Sequence, residues 1–154
     1  MKYKAIFEEA WKELLSMAEK REYIPNQEQD IVCMMYHLCL IRLRDTILLH
    51  ASSAWNYDLI IGRPKGEKKR EMRFKHCLIA EFKFILRRGR KNKRLNGALD
   101  DIKRLSRVKD PSVRRIFVIF DKVDCLTETD LTDIKEFAKK KKVFVLHNRS
   151  DLNI

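Results

Sequence analysis

The chain has 154 residues, with 34 Lys+Arg against 22 Asp+Glu and a net charge of +12. That length suits one domain with a real core, and 45% apolar content in periodic segments excludes an intrinsically disordered chain. The charge excess favours a polyanionic partner, nucleic acid before membrane, and no apolar run reaches transmembrane length.

Residues Tyr3 to about Lys20 carry apolar side chains at spacings of three and four (Tyr3, Phe7, Ala10, Trp11, Leu14, Leu15, Ala18), which predicts an amphipathic helix rather than a signal peptide. Pro25 interrupts, and Asn26 with Gln29 predicts the N-cap of a second helix from about Gln27 to at least Leu43. The run IVCMMYHLCLI is apolar almost all round, so this helix is expected to be buried on several sides and to cross the sheet, with His37 in the core. Glu28 and Asp30 fall on its first turn, where acids favour the helix dipole. The other reading is that one of them, Glu28 first, leans into an active site.

Between Asp45 and Trp55 the pattern fits either a helix extension or a strand at Thr46–His50, with Ala51-Ser52-Ser53 as a turn or strand edge. Tyr57–Gly62 reads as a strand closed by Gly62 and Pro64. The segment from Arg63 to Lys75 holds Arg63, Lys65, Lys68, Lys69, Arg70 and Arg73, and reads as a charged hairpin loop or splayed strand ends. It leads into His76–Leu86, HCLIAEFKFIL, a buried strand with Glu81 and Lys83 set into one face, roughly 7 Å apart by strand geometry. A hairpin makes the two strands antiparallel neighbours and brings Asp58 beside Glu81.

Next comes RRGRKNKR, with Arg87, Arg88, Arg90, Lys91, Lys93 and Arg94, and then a helix from about Lys93 to Arg107. Leu95, Ala98, Leu99, Ile102 and Leu105 form its core face, with Lys103, Arg104 and Arg107 outside. Arg115–Asp121, RIFVIFD, reads as a central strand covered on both faces. Thr127 and Asp130 form a capping box, and Leu126 with Leu131 a hydrophobic staple, for a helix to about Lys140. Lys142–His147 is the last strand, parallel to the one before it. The fold expected is α/β: a single domain over 1–154, with a helical part at 1–50 and an α/β core at 51–150, built on a mixed central sheet with helices on both faces. Cys33, Cys39, Cys77 and Cys125 lack CxxC or zinc spacing; three of them sit in apolar segments and read as buried reduced thiols in a cytoplasmic protein.

A charge buried in an apolar strand costs several kcal/mol unless it is paired or holds an ion. Asp58 and Glu81 would supply hard oxygen ligands for Mg²⁺ or Mn²⁺, and the ion would acidify a water for attack on phosphorus. Lys83 would orient that water or stabilise charge on the phosphate oxygens. Arg63, Lys65, Lys68, Lys69, Arg70 and Arg73 before the strand, and Arg87, Arg88, Arg90, Lys91, Lys93 and Arg94 after it, would hold a phosphate backbone. The (D/E)xK pattern occurs four times, at Glu67/Lys69, Glu81/Lys83, Asp101/Lys103 and Asp133/Lys135. Only Glu81/Lys83 lies in an apolar strand behind an apolar strand bearing an aspartate. The other three fall in a charged loop or on solvated helix faces.

Asp58, 22 intervening residues, then Glu81-Phe82-Lys83, followed by a helix, RIFVIFD, a helix and KVFVLH, resembles the PD-(D/E)XK nuclease superfamily over roughly residues 27–147. Tyr57 stands where that family's proline does. The resemblance implies a restriction-endonuclease-like fold and a Mg²⁺- or Mn²⁺-dependent endonuclease acting on DNA, with RNA left open. It assigns Asp58, Glu81 and the Phe82 backbone carbonyl to the metal, Lys83 to catalysis and Glu28 to an added metal ligand. A homodimer would allow double-strand or junction cutting. The alternative is a non-catalytic nucleic-acid-binding or assembly subunit on the same fold.

Overall fold

The computed structural model describes residues 2–43, 48–52, 57–65, 73–86, 89 and 91–151. The elements run α1 (Lys2–Glu19), α2 (Glu28–Arg42), β1 (Leu48–Ser52), β2 (Tyr57–Lys65), β3 (Arg73–Ile85), α3 (Lys91–Ser106), β4 (Arg114–Asp121), α4 (Glu128–Lys140), β5 (Phe144–His147) and a one-turn α5 (Asn148–Asp151). The five strands form one mixed sheet in sequence order. β1, β2 and β3 are antiparallel neighbours, and β3, β4 and β5 run parallel. The chain is thus α/β, with helices on both faces of the sheet.

Period-two alternation on β3 divides the core. Leu78, Ala80 and Phe82 face the layer of α1 and α2, with Phe7, Trp11, Leu14, Ile31 and Met35. Ile79 and Ile85 face the layer of α3 and α4, with Ala98, Ile102, Leu105, Leu131 and Ile134. β4 is buried on both faces from Ile116 onward, as its unbroken apolar run requires. The ring of Trp11 meets Phe120 edge-on with centroids 6.2 Å apart, an arrangement favoured by the ring quadrupoles. Truncating Trp11 to Ala would cost about 3–5 kcal/mol on the scale of buried aromatics.

Several boundaries and burial states differ from the sequence expectation. The α2 cap is Gln27, one residue later than expected, and Asp30 rather than Gln29 closes it: the Asp30 carboxylate accepts the N–H groups of Asn26 (2.9 Å) and Gln27 (3.2 Å). α2 buries one side only, through Ile31, Val32, Met35, Leu38 and Cys39. Leu40, Ile41, His37 and Cys33 are exposed, because a helix lying flat on a sheet cannot bury all of its circumference. Cys39 is the buried thiol; Cys77 and Cys125 are half-buried. The ambiguous stretch before Trp55 resolves into β1 at Leu48–Ser52, and Ser53–Trp55 lies outside the described residues.

β2 does not stop at Gly62 but runs to Lys65, with Arg63, Pro64 and Lys65 paired to Lys75, Phe74 and Arg73. Pro64 is tolerated because β1 begins opposite Gly62, so past that point β2 has no partner on its other side among the described residues. Part of the charged loop is therefore strand. α3 starts at Lys91 and carries Lys91, Lys93 and Arg94 on its first turn rather than in a loop. The last strand is shorter than expected: Lys142 belongs to the turn after α4, Val143 follows it, and the strand begins at Phe144. Among the described residues, no helix is long and apolar enough to cross a membrane.

Candidate functional site

The pairing of β2 and β3 ends at Leu59 opposite Ala80, which puts Asp58 next to Glu81 as the strands part. Parting leaves N–H groups on that edge of β3 without a strand partner. Two carboxylates take them. Asp58 Oδ2 accepts the Phe82 N–H at 2.8 Å, and Glu28 Oε2, from the first turn of α2, accepts the Phe84 N–H at 3.2 Å. In an extended strand, the N–H and C=O of one residue share an edge, so the Phe82 carbonyl faces the Asp58 side.

Glu81 is 2% exposed, and its Oε1 accepts no hydrogen bond among the described residues. Burial, then the charge of Asp58, then a hydrogen bond shared with Asp58 push its carboxyl up to about 9, and the Arg104 guanidinium only partly offsets this. The Asp58 and Glu81 carboxyl groups are therefore within hydrogen-bonding reach of each other. Glu28 is also raised, chiefly by burial and with a contribution from Asp58, against the Phe84 N–H and Lys83.

Lys83 shares a strand face with Glu81 and reaches α3, where its Nζ lies 3.4 Å from Asp101 Oδ2. Gly97, one helical turn before Asp101, leaves room: a Cβ there would sit 3.6 Å from Lys83 Nζ. Arg104, one turn further on, bridges Glu81 Oε2 at 2.9 Å and Asp101 Oδ1 at 3.0 Å. Asp101 is itself raised, by burial first, with Lys83 and Arg104 opposing.

The sequence pattern predicts Arg104 outside and Asp101 on a solvated face. Both expectations are corrected: Asp101 is half-buried and Arg104 turns inward to the two acids. The signal was present, since Asp101 lies three residues after Ala98 and four before Leu105, on the helix's buried stripe. Four carboxyls (Glu28, Asp58, Glu81, Asp101) thus surround two cations (Lys83, Arg104) in a protein whose net charge is +12.

This arrangement has a specific chemical demand. Two carboxylates side by side in a low-dielectric site cannot both ionise without a cation between them. An orphaned Glu81 oxygen, an adjacent Asp58 and a carbonyl on the same edge fit a small hard cation that keeps several of its own waters. Among the described residues, no three His, Cys, Asp or Glu side chains form a metal-holding group, so such a cation would rest on two carboxylates and the Phe82 carbonyl. Glu28 reaches the same strand edge but is committed to the Phe84 N–H.

The basic residues expected to hold phosphate fall in three sets. Arg63, Lys65 and Arg73 lie on the distal arms of the β2–β3 hairpin. Lys68, Lys69, Arg70, Arg87, Arg88 and Arg90 lie outside the described residues. Of the helical set, Lys93 is exposed, and Arg94 is half-buried with its Nη1 3.7 Å from Cys125 Sγ. Tyr57, beside Asp58, packs on the α3–α4 side. Comparison with family models, with curated proteins and with solved structures found no match for this chain.

Proposed function

We propose that the chain is a metal-dependent nuclease of restriction-endonuclease-like architecture that hydrolyses DNA phosphodiester bonds at Asp58, Glu81 and Lys83. The observation that carries this reading is the acid excess around the parted strands: buried Glu81 with half-buried Asp58 beside it and a lysine two residues along the same face as Glu81. Asp58, Glu81 and the Phe82 carbonyl would hold Mg²⁺ or Mn²⁺. When bound, the ion supplies a more acidic water and a counter-charge for the phosphate. Lys83, held by Asp101, donates to the phosphate oxygens as charge builds on them. The +12 net charge would draw the polyanionic substrate in.

A second reading has its own observation. Arg104 already sits on Glu81 Oε2 at 2.9 Å, which is what a non-catalytic nucleic-acid-binding subunit on the same framework would use in place of an ion. The two readings part on one experiment. Wild type, Glu81→Ala and Lys83→Ala are incubated with supercoiled plasmid, single strands and a four-way junction in Mg²⁺, Mn²⁺ or EDTA. The nuclease reading expects metal-dependent cutting that falls about 10³-fold or more in both variants. Salt-sensitive binding with no cutting in any metal would establish the binder.

A further inference from the structure

At the other end of the sheet, a cavity of about 860 Å³ opens where β4 and β5 begin. Arg114 at the start of β4 lies five residues before Ile119, the neighbour of Lys83, so the cavity mouth is roughly 17 Å along the strands from the acid cluster. Seven lysines and arginines line it, and no acid does among the described residues. Five of them, Lys109, Arg114, Lys135, Lys139 and Lys142, enter no ion pair among the described residues. Lys4 is balanced by Glu8 at 3.2 Å, and Arg115 lies within the field of Asp110.

The floor is of different chemistry. Val113, Ile116, Val143, Val145 and the 39%-exposed ring of Phe144 form it, with Lys4 Nζ 3.8 Å above that ring. The volume lies within the range of pockets that enclose small organic ligands, and an apolar floor under an all-cationic rim suits a ligand with flat faces and phosphates. Lys142 adopts φ 57°, a left-handed conformation at the α4–β5 turn where glycine is the favoured residue.

We propose that the cavity binds a single-stranded segment of nucleic acid, with bases against Phe144 and the valines and phosphates on the lysine rim. A duplex hides its base faces and would meet only the rim. The ligand is a single strand because aromatic and apolar floors gain from exposed bases. The inference shares the polyanionic partner of the proposed function but not its metal site, and binding in EDTA separates the two.

The test uses the full chain with a fluorescein-labelled oligo(dT) and, in parallel, a labelled duplex of the same length, both in EDTA and read by anisotropy across a salt series. Lys139→Ala/Lys142→Gly is compared with Lys20→Ala/Arg21→Gly, which removes the same charge at the far end of α1, where Arg21 has φ 59°. The cavity pair is expected to bind at least about tenfold more weakly, with a salt slope lower by about 1.4 for two lost phosphate contacts, while the α1 pair stays near wild type. Lys142→Gly relieves the turn, so a thermal midpoint at or above that of the α1 pair excludes misfolding as the cause. Equal losses in the two pairs would reduce the effect to net charge and overturn the proposal. A cavity pair that loses only duplex binding would overturn it too.

Discussion

The side chain on which the account turns is Glu81. Its carboxyl sits near 9 in the fold, against about 4.3 in an unfolded chain, so between those values the folded state holds a proton that the unfolded state has lost. Stability therefore falls as pH rises through that window, and the contribution is flat below it. Glu81→Gln removes the titration. Its melting temperature should gain on wild type between pH 5 and pH 9, and chemical-denaturation midpoints measured in EDTA will show this; a constant gap would count against the buried acid pair. Asp101→Asn frees Lys83 and leaves Arg104 to Glu81 alone. Cleavage should drop about tenfold, and the pH–rate profile should shift, as expected when a positioned cation is loosened; an unchanged profile would mean that Asp101 only packs. At this scale the sequence showed Asp58, Glu81 and Lys83 because charges in an apolar strand stand out. Asp101 and Arg104 do not stand out, because charges on an amphipathic helix are ordinary; the one cue is that Asp101 lies on the stripe of Ala98 and Leu105.

At the scale of elements, α3 carries a mid-helix glycine facing Lys83. The 3.6 Å left for a Cβ at Gly97 is ordinary contact distance, so Gly97→Ala should stabilise the protein by about 1 kcal/mol through helix propensity and raise the thermal midpoint by a few degrees. A fall would show that Lys83 needs more room than the distance suggests. The β4–α4 connection depends on Asp121, 1% exposed, which accepts the N–H groups of Cys125 (3.0 Å) and Leu126 (2.8 Å) and pairs with Arg149 (3.3 Å). Asp121→Ala strands these donors and should cost about 3 kcal/mol in urea unfolding. Asp121 closes an apolar strand, as Asp58 opens one, yet it organises a loop. Residue pattern alone does not separate the two roles. Elements with strong periodicity (α1, α3, β3, β4, α4) were legible in the sequence to within about two residues at most of their ends. β2 was not, because a proline ends a strand only where that strand needs its N–H, and the missing neighbour at Pro64 is set by where β1 starts.

Across the described residues, charge differs between the two ends of the parallel strands. Four carboxyls gather where β2 and β3 part, and seven lysines and arginines, five of them outside any ion pair among the described residues, line the cavity at the opposite end. The α/β class, the mixed sheet and the two-sided helix layers followed from the order of periodic segments. The difference in charge did not, because it depends on which ends of parallel strands meet. The central claim is that a divalent cation takes the position between Asp58 and Glu81. Crystals soaked in Mn²⁺ and measured at the manganese edge test it most directly. The account predicts an anomalous peak within coordination distance of both carboxylates and the Phe82 carbonyl, with Arg104 turned away from Glu81. No peak there, with Arg104 still seated on Glu81, would contradict it.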